Sequence, residues 1–382
     1  MRKISADWLF NGKQLLANQT LILDDEGKVL EVQKGKMENA SFHEGLVSVP
    51  FVNAHCHLEL SHLRAALPQK TGMAGFVMAL QGIRDNYSEE EKLQGVQDAL
   101  QEMREGGIAA IGDICNGTST LAAKTARPEF QFHNFIELFG LDPNQGENFF
   151  FKGLELLREF GRNTSITPHA PYSVSKVLRD KVLKYAERRE WPVSIHLLES
   201  KEERQLFEDL EGPLMDFIFK IGAVFQAHTY KSPLDFILES LPTNCNALLV
   251  HCTEMKAEEL QQIAEGWPKA YIVLCPLANQ YIHDTLPDAK MFAQYPERIC
   301  LGTDSLAGNH CLSIVGEMEA LQTAHAIPAE TLLRWASLNG AAALGIDQNY
   351  FEIQPGNRPG LIHFPSFSPD KITSGKIEFI QS

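Results

Sequence analysis

From residue 49 onward, short apolar runs alternate with longer amphipathic stretches. The runs are apolar on both faces, as strands inside a parallel sheet are, and the stretches between them have helical periodicity. The runs cover residues 49–55, 108–114, 132–139, 165–169, 193–197, 247–251, 271–275 and 299–302. Helices are predicted at residues 89–105, 149–160, 175–189, 202–221, 257–265, 289–294 and 329–344. Eight strand-then-helix units over roughly 290 residues predict a (β/α)8 TIM barrel, a fold that typically uses about 250.

The two ends of the chain have a different pattern, with short apolar runs separated by turn signals such as Asn11-Gly12 and Pro355-Gly356. The runs cover residues 8–10, 20–23, 29–32, 351–353, 361–364 and 376–380. We predict that residues 1–48 and 346–382 join in one small β-sandwich domain. Residues 49–345 would then form the catalytic barrel domain.

Composition narrows the class of protein. A hydrophobic content of 44% and a charged content of 22% are ordinary for a globular chain. The net charge of −15 argues against a nucleic-acid partner, which usually requires a basic face. Seven scattered cysteines without a C-x-x-C pair indicate reduced thiols. The sequence has no signal-peptide pattern and no apolar run of about 20 residues, so we expect a cytoplasmic protein without a membrane partner. Whether the protein forms a homo-oligomer stays open.

Histidines and acids follow the predicted strands at the point where each strand ends. In a (β/α)8 barrel the active site is built at these carboxyl ends. His55 and His57 follow the first run, and residues two apart on a strand point to the same side. The other strand-end groups are His169, His196 with Glu199, His251, and Asp304.

Each of these residues also has a simpler interpretation. His251 alone could be a satisfied core histidine, Asp304 a helix N-cap, and Glu199 a first-turn acid favoured by the helix dipole. Those interpretations do not explain why all of the groups fall at strand ends. Three neutral imidazoles and one carboxylate suit Zn²⁺ or a similar ion, which lowers the pKa of bound water toward about 7. Glu199, three residues beyond His196, could take the proton of that water and pass it to a leaving nitrogen.

Several motifs together resemble the amidohydrolase superfamily, in the branch that contains purine and nucleoside deaminases. The motifs are Val52-Asn53-Ala54-His55-x-His57, His169-Ala170-Pro171-Tyr172-Ser173, His196-x-x-Glu199, His251, Cys275-Pro276-x-x-Asn279, Leu301-Gly302-Thr303-Asp304-Ser305 and Asn339-Gly340-Ala341-Ala342-Ala343-Leu344-Gly345. The resemblance extends over nearly the whole chain, including the small β domain.

The resemblance implies specific roles for these residues. It implies one divalent ion, zinc before iron or manganese, held by the four metal ligands His55, His57, His196 and Asp304. Glu199 would act as proton shuttle, His251 would steer and polarise the attacking water, and Asp304 would share in proton transfer. Substrate contacts would come from His169, Glu59 and Ser305.

The implied reaction is hydrolytic deamination of an aminopurine nucleoside by a metal-bound hydroxide, with release of ammonia. The segments 57–61 and 303–309 are similar to those of aminodeoxyfutalosine deaminases, and adenosine- and S-adenosylhomocysteine-type deaminases share most motifs. Glu59 would contact the nucleoside, although it could equally just open a helix. Two alternatives stay open: another ring hydrolase of the superfamily, such as a chlorohydrolase, a cytosine or guanine deaminase or an imidazolonepropionase, and a non-enzymatic binding protein.

Two features are left undecided by the sequence. Binuclear members of the superfamily bridge two metals with a carboxylated lysine at a strand end, whereas Lys152 and Lys176 fall in predicted helices, so we expect one metal. Glu137 could contact the substrate or a second metal. The region 201–246 is long for one connection and could form a lid or a partner surface.

Overall fold

The middle of the chain forms eight parallel strands, and both ends of the chain supply further strands. The computed structural model describes residues 1–227 and 229–380. Its strands are β1 Arg2–Phe10, β2 Leu15–Leu23, β3 Val29–Lys34, β4 Ser41–Ser48, β5 Phe51–Cys56, β6 Ile108–Cys115, β7 Gln131–Leu138, β8 Thr164–Pro168, β9 Val193–Leu197, β10 Ala247–His251, β11 Ala270–Leu274, β12 Ile299–Leu301, β13 Ile362–Phe364 and β14 Glu378–Phe379. All eight predicted barrel strands are present, β5 to β12, within a few residues of their expected bounds.

These eight strands form two four-stranded parallel sheets, ordered β5-β6-β7-β8 and β9-β10-β11-β12, whose edge strands approach each other. On one side, β5 meets β12 through a bridge between Cys56 and Asp304. On the other, β8 meets β9, where Ser194 N donates to Thr167 Oγ1 at 2.8 Å. The predicted (β/α)8 fold is confirmed.

Helices surround the barrel. They are α1 Gly72–Ile83, α2 Glu89–Glu105, α3 Leu121–Thr125, α4 Gly146–Phe160, α5 Lys176–Arg189, α6 Lys201–Glu208, α7 Pro213–Lys220, α8 Pro233–Leu238, α9 Ala257–Gly266, α10 Pro276–His283, α11 Ala289–Phe292, α12 Ile314–His325, α13 Ala329–Trp335 and α14 Leu338–Ala343. Single turns of 3₁₀ helix cover Leu58–Leu63, Pro143–Gln145, Pro296–Arg298 and Gln348–Phe351. No helix in the described part of the chain is long and apolar enough to cross a membrane.

Local signals explain where several helices begin and end. Helix α2 has its predicted bounds because Ser88 and Glu91 form a capping box at its start. The helix predicted at 202–221 is instead two, α6 and α7. Gly212 between them has φ +97°, and Pro213 opens the second helix because its fixed φ suits a first turn.

The end segments of the chain form one six-stranded sheet in the order β14-β13-β4-β1-β2-β3. Strand β1 pairs antiparallel with β2 and parallel with β4, and β13 adds the C-terminal segment antiparallel to β4. The strand predicted at 351–353 is absent, since Gln348–Phe351 is a 3₁₀ turn. The division into a β-sandwich domain (1–48 plus 346–382) and a barrel domain (49–345) stays a prediction.

Candidate metal and active site

Four buried side chains converge at the carboxyl end of the barrel. His55 lies in β5, His57 directly follows that strand, His196 lies in β9, and Asp304 follows β12. One ligand atom from each of the four lies within 4.8 Å of the others. Nε2 of His57 is 3.3 Å from Nε2 of His196 and 3.4 Å from Oδ1 of Asp304. The structure therefore brings together all four residues that were predicted as metal ligands.

Backbone hydrogen bonds fix this cluster where the barrel closes. The carbonyl oxygen of His55 accepts from the amides of both Thr303 and Asp304, at 3.0 and 3.1 Å. Asp304 has φ +56°, a left-handed conformation that aspartate tolerates better than most residues. This turn directs the carboxylate back toward the histidines.

The ring of His196 is oriented by the contacts of its Nδ1 atom. Its Nδ1 lies 3.2 Å from the backbone oxygen of His169 and 3.4 Å from Oε1 of Glu137. Two such acceptors place the proton on Nδ1, so Nε2 carries a free lone pair. Metal-binding histidines are commonly held in this way by a carbonyl or carboxylate.

Burial keeps His55 and His57 of the cluster neutral. It lowers the pKa of His57 to about 3, although the neighbouring Asp304 carboxylate acts in the opposite direction. Burial also holds the pKa of His55 well below the usual value and lowers that of His251. Neutral imidazole is the form that binds a metal ion.

Glu199 and His251 lie beside the cluster. Oε1 of Glu199 is 3.7 Å from Nε2 of His251, and both side chains are buried. Burial alone would raise the pKa of Glu199, but His251 and His283 outweigh that effect and lower it. Glu199 is therefore an ionised base at neutral pH.

Two further residues, Asn279 and His283, support this pair. Nδ2 of Asn279 donates to Nδ1 of His251 at 3.3 Å, which places the His251 ring proton on Nε2. Nε2 of His283 is 3.5 Å from Oε1 of Glu199. The sequence analysis gave neither residue a role. Their spacing of four on α10, which puts both on one helix face, was the available signal.

A cavity of about 830 Å³ opens above these groups. The polar residues at its base are His57, Glu59, Asn116, Glu137, His169, His196, Glu199, His251, Asp304 and Ser305. Apolar side chains also line it, with Met73, Phe76 and Leu80 from α1 and Phe217 and Ile218 from α7, beside a few polar ones such as Gln81, Arg84 and Gln226. All predicted catalytic and substrate-binding residues thus border one cavity.

Two of the three predicted substrate residues, Glu59 and His169, lie on the side of the cavity formed by β5 to β8. Oε2 of Glu59 accepts from Asn116 N at 3.0 Å, and Oε2 of Glu137 accepts from Asn116 Nδ2 at 3.1 Å, so Asn116 joins the two acids. Burial raises the pKa of Glu59 to about 7. On the other side, Ser305 Oγ accepts from Gly308 N at 3.3 Å.

The region 201–246 contributes one wall of this cavity. Leu214, Phe217 and Ile218 of α7 face it, followed by residues 221–224 and Gln226. Ile221 and Val224 are 52% and 66% exposed, so they lie at the mouth. The connection thus covers the substrate side of the barrel.

The buried acid Glu203 leads to a prediction about pH and stability. Its Oε2 accepts from Glu199 N at 3.0 Å, and burial, with repulsion from the Glu199 carboxylate, raises its pKa to about 8. The folded protein therefore holds a proton that the unfolded chain releases above about pH 4.5, so this group weakens the fold as pH rises toward 8. Between pH 5 and 8 this effect lowers the free energy of unfolding of the wild type by roughly 3 kcal/mol, and we expect Glu203→Gln to remove that decrease. Thermal unfolding of both proteins across this range measures it; parallel pH profiles would contradict the assignment.

Comparison with known proteins places the chain among hydrolases. The sequence profile of the amidohydrolase family matches residues 47–377. The chain is 27% identical to an adenosine deaminase of Helicobacter pylori over 339 residues, 85% of this chain and 80% of that protein. It is 24% identical to a 5-methylthioadenosine/S-adenosylhomocysteine deaminase of Saccharophagus degradans over 391 residues, 94% of this chain and 82% of that protein.

Solved structures show the same fold. An aminofutalosine deaminase of H. pylori in complex with methylthio-coformycin superposes with a TM-score of 0.80 at 23% identity, covering 94% of this chain and 91% of that one. The atrazine chlorohydrolase of Arthrobacter aurescens, complexed with zinc, gives a TM-score of 0.72 at 16% identity, covering 95% and 86%.

Proposed function

The chain belongs to the amidohydrolase family, and from that premise we propose that it is a metal-dependent aminohydrolase acting on an aminopurine nucleoside. The observation that carries the proposal is the convergence of four metal-binding side chains beside Glu199 and His251 in a single cavity. A hydrolytic deaminase needs these three elements: an activated water, a proton carrier, and a group that steers and polarises the attacking water.

The donor set fits one divalent ion, and we propose zinc. Nδ1 and Nε2 of His55 are buried without a hydrogen-bond partner among the described residues, an arrangement that a metal bond relieves. Three imidazoles and a carboxylate suit zinc, which is also the ion in the related chlorohydrolase structure. When bound, the ion lowers the pKa of a water molecule and so supplies the nucleophile at neutral pH.

A second group of donors, Glu137, His169 and His196, could hold another ion by geometry. We propose that it does not. Asn116 already donates to Glu137, and His196 directs its free lone pair toward the first site. Neither Lys152, which is in α4, nor Lys176, which opens α5, stands at a strand end where it could bridge two ions.

Glu199 and His251 would perform the proton chemistry. The Glu199 carboxylate takes a proton from the attacking water and delivers it to the departing amine, which leaves as ammonia. His251, with its proton on Nε2, would donate to the oxygen of the attacking water and so steer it toward the ring carbon, while the electron pair displaced by the attack moves to the ring nitrogen. Asp304 would share in proton transfer from the opposite side of the cluster.

His169, Glu59 and Ser305 would bind the nucleoside. Ser173 Oγ donates to Ala170 O and therefore accepts from Nδ1 of His169, at 2.6 Å. Nε2 of His169 is left as an acceptor, which suits a sugar hydroxyl. The Glu59 carboxylate would accept from the sugar in the same way, and the Ser305 hydroxyl would donate to the base.

The size of the cavity favours a nucleoside that carries a substituent on its sugar. The apolar walls from α1 and α7 extend beyond the polar base and would enclose an apolar group there. The related deaminases of 5-methylthioadenosine and aminofutalosine are named for such substrates.

Replacing Glu59 with glutamine tests the sugar contact. The amide oxygen can still accept from Asn116 N, but the charged acceptor is lost. We expect kcat/KM on a ribonucleoside to fall about 10- to 100-fold, mainly through KM, because a hydrogen bond to a charged group contributes about 1.5–3 kcal/mol. Steady-state kinetics on ribo- and 2′-deoxyribonucleosides measures it. An equal effect on both sugars would point to a structural role for Glu59.

The proposal as a whole is tested by a substrate panel with the zinc-loaded protein. Adenosine, 5′-methylthioadenosine, S-adenosylhomocysteine and aminodeoxyfutalosine are assayed for ammonia. Beside them, cytosine and guanine are assayed for ammonia, imidazolonepropionate for ring opening and atrazine for release of chloride. We expect turnover of at least one aminopurine nucleoside. Activity confined to the second set would replace nucleoside deamination with the other ring hydrolases, and inactivity on all would favour a binding protein.

A further inference from the structure

We propose that Asp113, neutralised by the buried Lys124, is a positioning residue that holds the metal ligand His57 in place. Asp113 lies in β6, one strand away from the ligand pair, and it touches neither the cavity nor a ligand ring. The inference rests on the metal site of the proposed function.

Asp113 and Lys124 form an ion pair inside the protein. The Asp113 side chain is fully buried and that of Lys124 is 4% exposed. Lys124 Nζ also contacts Asn134 Oδ1 at 2.7 Å and Cys115 Sγ at 3.2 Å. Buried ion pairs often contribute little net stability compared with apolar residues of the same size. Stability alone is therefore a weak explanation for placing a charge here.

The contacts of Asp113 lie on both sides of His57 in the chain. Its Oδ1 accepts from Leu58 N at 2.8 Å and lies 3.7 Å from Cys56 Sγ. A single carboxylate oxygen of Asp113 thus contacts both neighbours of the ligand His57, Cys56 before it and Leu58 after it.

The regular pairing of β5 with β6 is interrupted just before His57, so the backbone there needs a side-chain contact such as that of Asp113 to hold it. Asn53 pairs with Ile111 and Cys56 with Asp113, so three steps along β5 match two along β6. This is a β-bulge, which bends the strand and re-aims side chains. Asp113 provides the oxygen that fixes the backbone where β5 ends and His57 turns toward the metal.

The test distinguishes the role of the Asp113 oxygen as a hydrogen-bond acceptor from the role of its negative charge. Asp113→Asn combined with Lys124→Met removes both charges and keeps an oxygen that can accept from Leu58 N. Asp113→Ala with Lys124→Met is equally neutral but lacks that oxygen. Cys115→Ala is the control for packing, because the side-chain hydrogen bonds of Cys115 go to the ion pair.

The readouts are zinc affinity, by competition with a chelator, the visible spectrum of the Co²⁺-loaded protein, and the thermal midpoint. We expect the Asn/Met protein and the Cys115→Ala control to bind zinc as the wild type does. The Ala/Met protein should bind it about 10- to 100-fold more weakly, the usual effect of losing a group that orients a ligand, with an altered Co²⁺ spectrum.

Unchanged affinity and spectrum in the Ala/Met protein would overturn the inference, as would equal weakening in the Asn/Met protein. Both outcomes would leave the proposed function standing. A wild-type protein that binds no divalent ion would overturn both. A lower thermal midpoint with unchanged affinity would mean that the pair is only structural.

Discussion

Glu199→Gln protein is expected to keep its zinc and to lose turnover by about 10²- to 10⁴-fold, the range over which general acid–base catalysis contributes. The substitution leaves the four donor atoms of the metal cluster untouched, because Glu199 is not one of them. The amide cannot take a proton from water or deliver one to the amine. Both the formation and the collapse of the tetrahedral carbon would slow, so kcat should fall more than KM rises.

The measurement combines zinc content by elemental analysis with steady-state kinetics on the substrate found by the panel. Glu199→Asp is the matched variant, since it keeps a carboxylate but draws it back by one methylene. We expect it to fall between the wild type and Glu199→Gln. Near-normal turnover by Glu199→Gln would show that another group carries the proton, and His283, 3.5 Å from the same oxygen, would be the first to examine.

His196→Ala and Asp304→Ala are expected to lose metal and activity together. Each removes one of the four ligand atoms, and each of these atoms contributes to the free energy of metal binding. The zinc content of the purified protein should fall from about one ion per chain to near zero, and turnover should fall to background. The thermal midpoint should drop toward that of the metal-free wild type, because binding energy stabilises the folded state.

The control for these variants is His43→Ala, which removes a histidine from β4 in the end sheet, away from the metal cluster. It should keep its zinc and activity. Wild-type activity in either ligand variant, or activity that survives complete chelation of the wild type, would contradict the metal assignment.

The barrel could be predicted from the sequence because its strands are buried on both faces. Such strands appear as unbroken apolar runs, and each of the eight lies close to its expected position. Strand β4 was missed, since its first half, including Phe42, is exposed and polar residues interrupt it. The split between α6 and α7 was missed because the apolar periodicity continues past Gly212 and Pro213.

The residues of the candidate site also divide into those that could be predicted from the sequence and those that could not. The convergence of the candidate ligands could be predicted because the fold collects the strand ends at one edge. The groups that orient them could not, since they are non-local: Asn116 joins two acids from different segments, and Asp113 is hidden within an apolar run. Its partner Lys124 belongs to a five-residue helix that has no strong sequence signal.

The hydrogen bonds between the first and last barrel strands have a consequence for how the protein is made. Asn53 and Thr303, which are 250 residues apart, bond directly beside the metal cluster, and the His55 carbonyl accepts the amide of Asp304. The first two ligands leave the ribosome long before the fourth, so a nascent chain carries a half-formed site until the final strand docks. At the proposed metal site, zinc loading would report that the last strand has docked, and a chain truncated before residue 304 would lack one of the four proposed ligands.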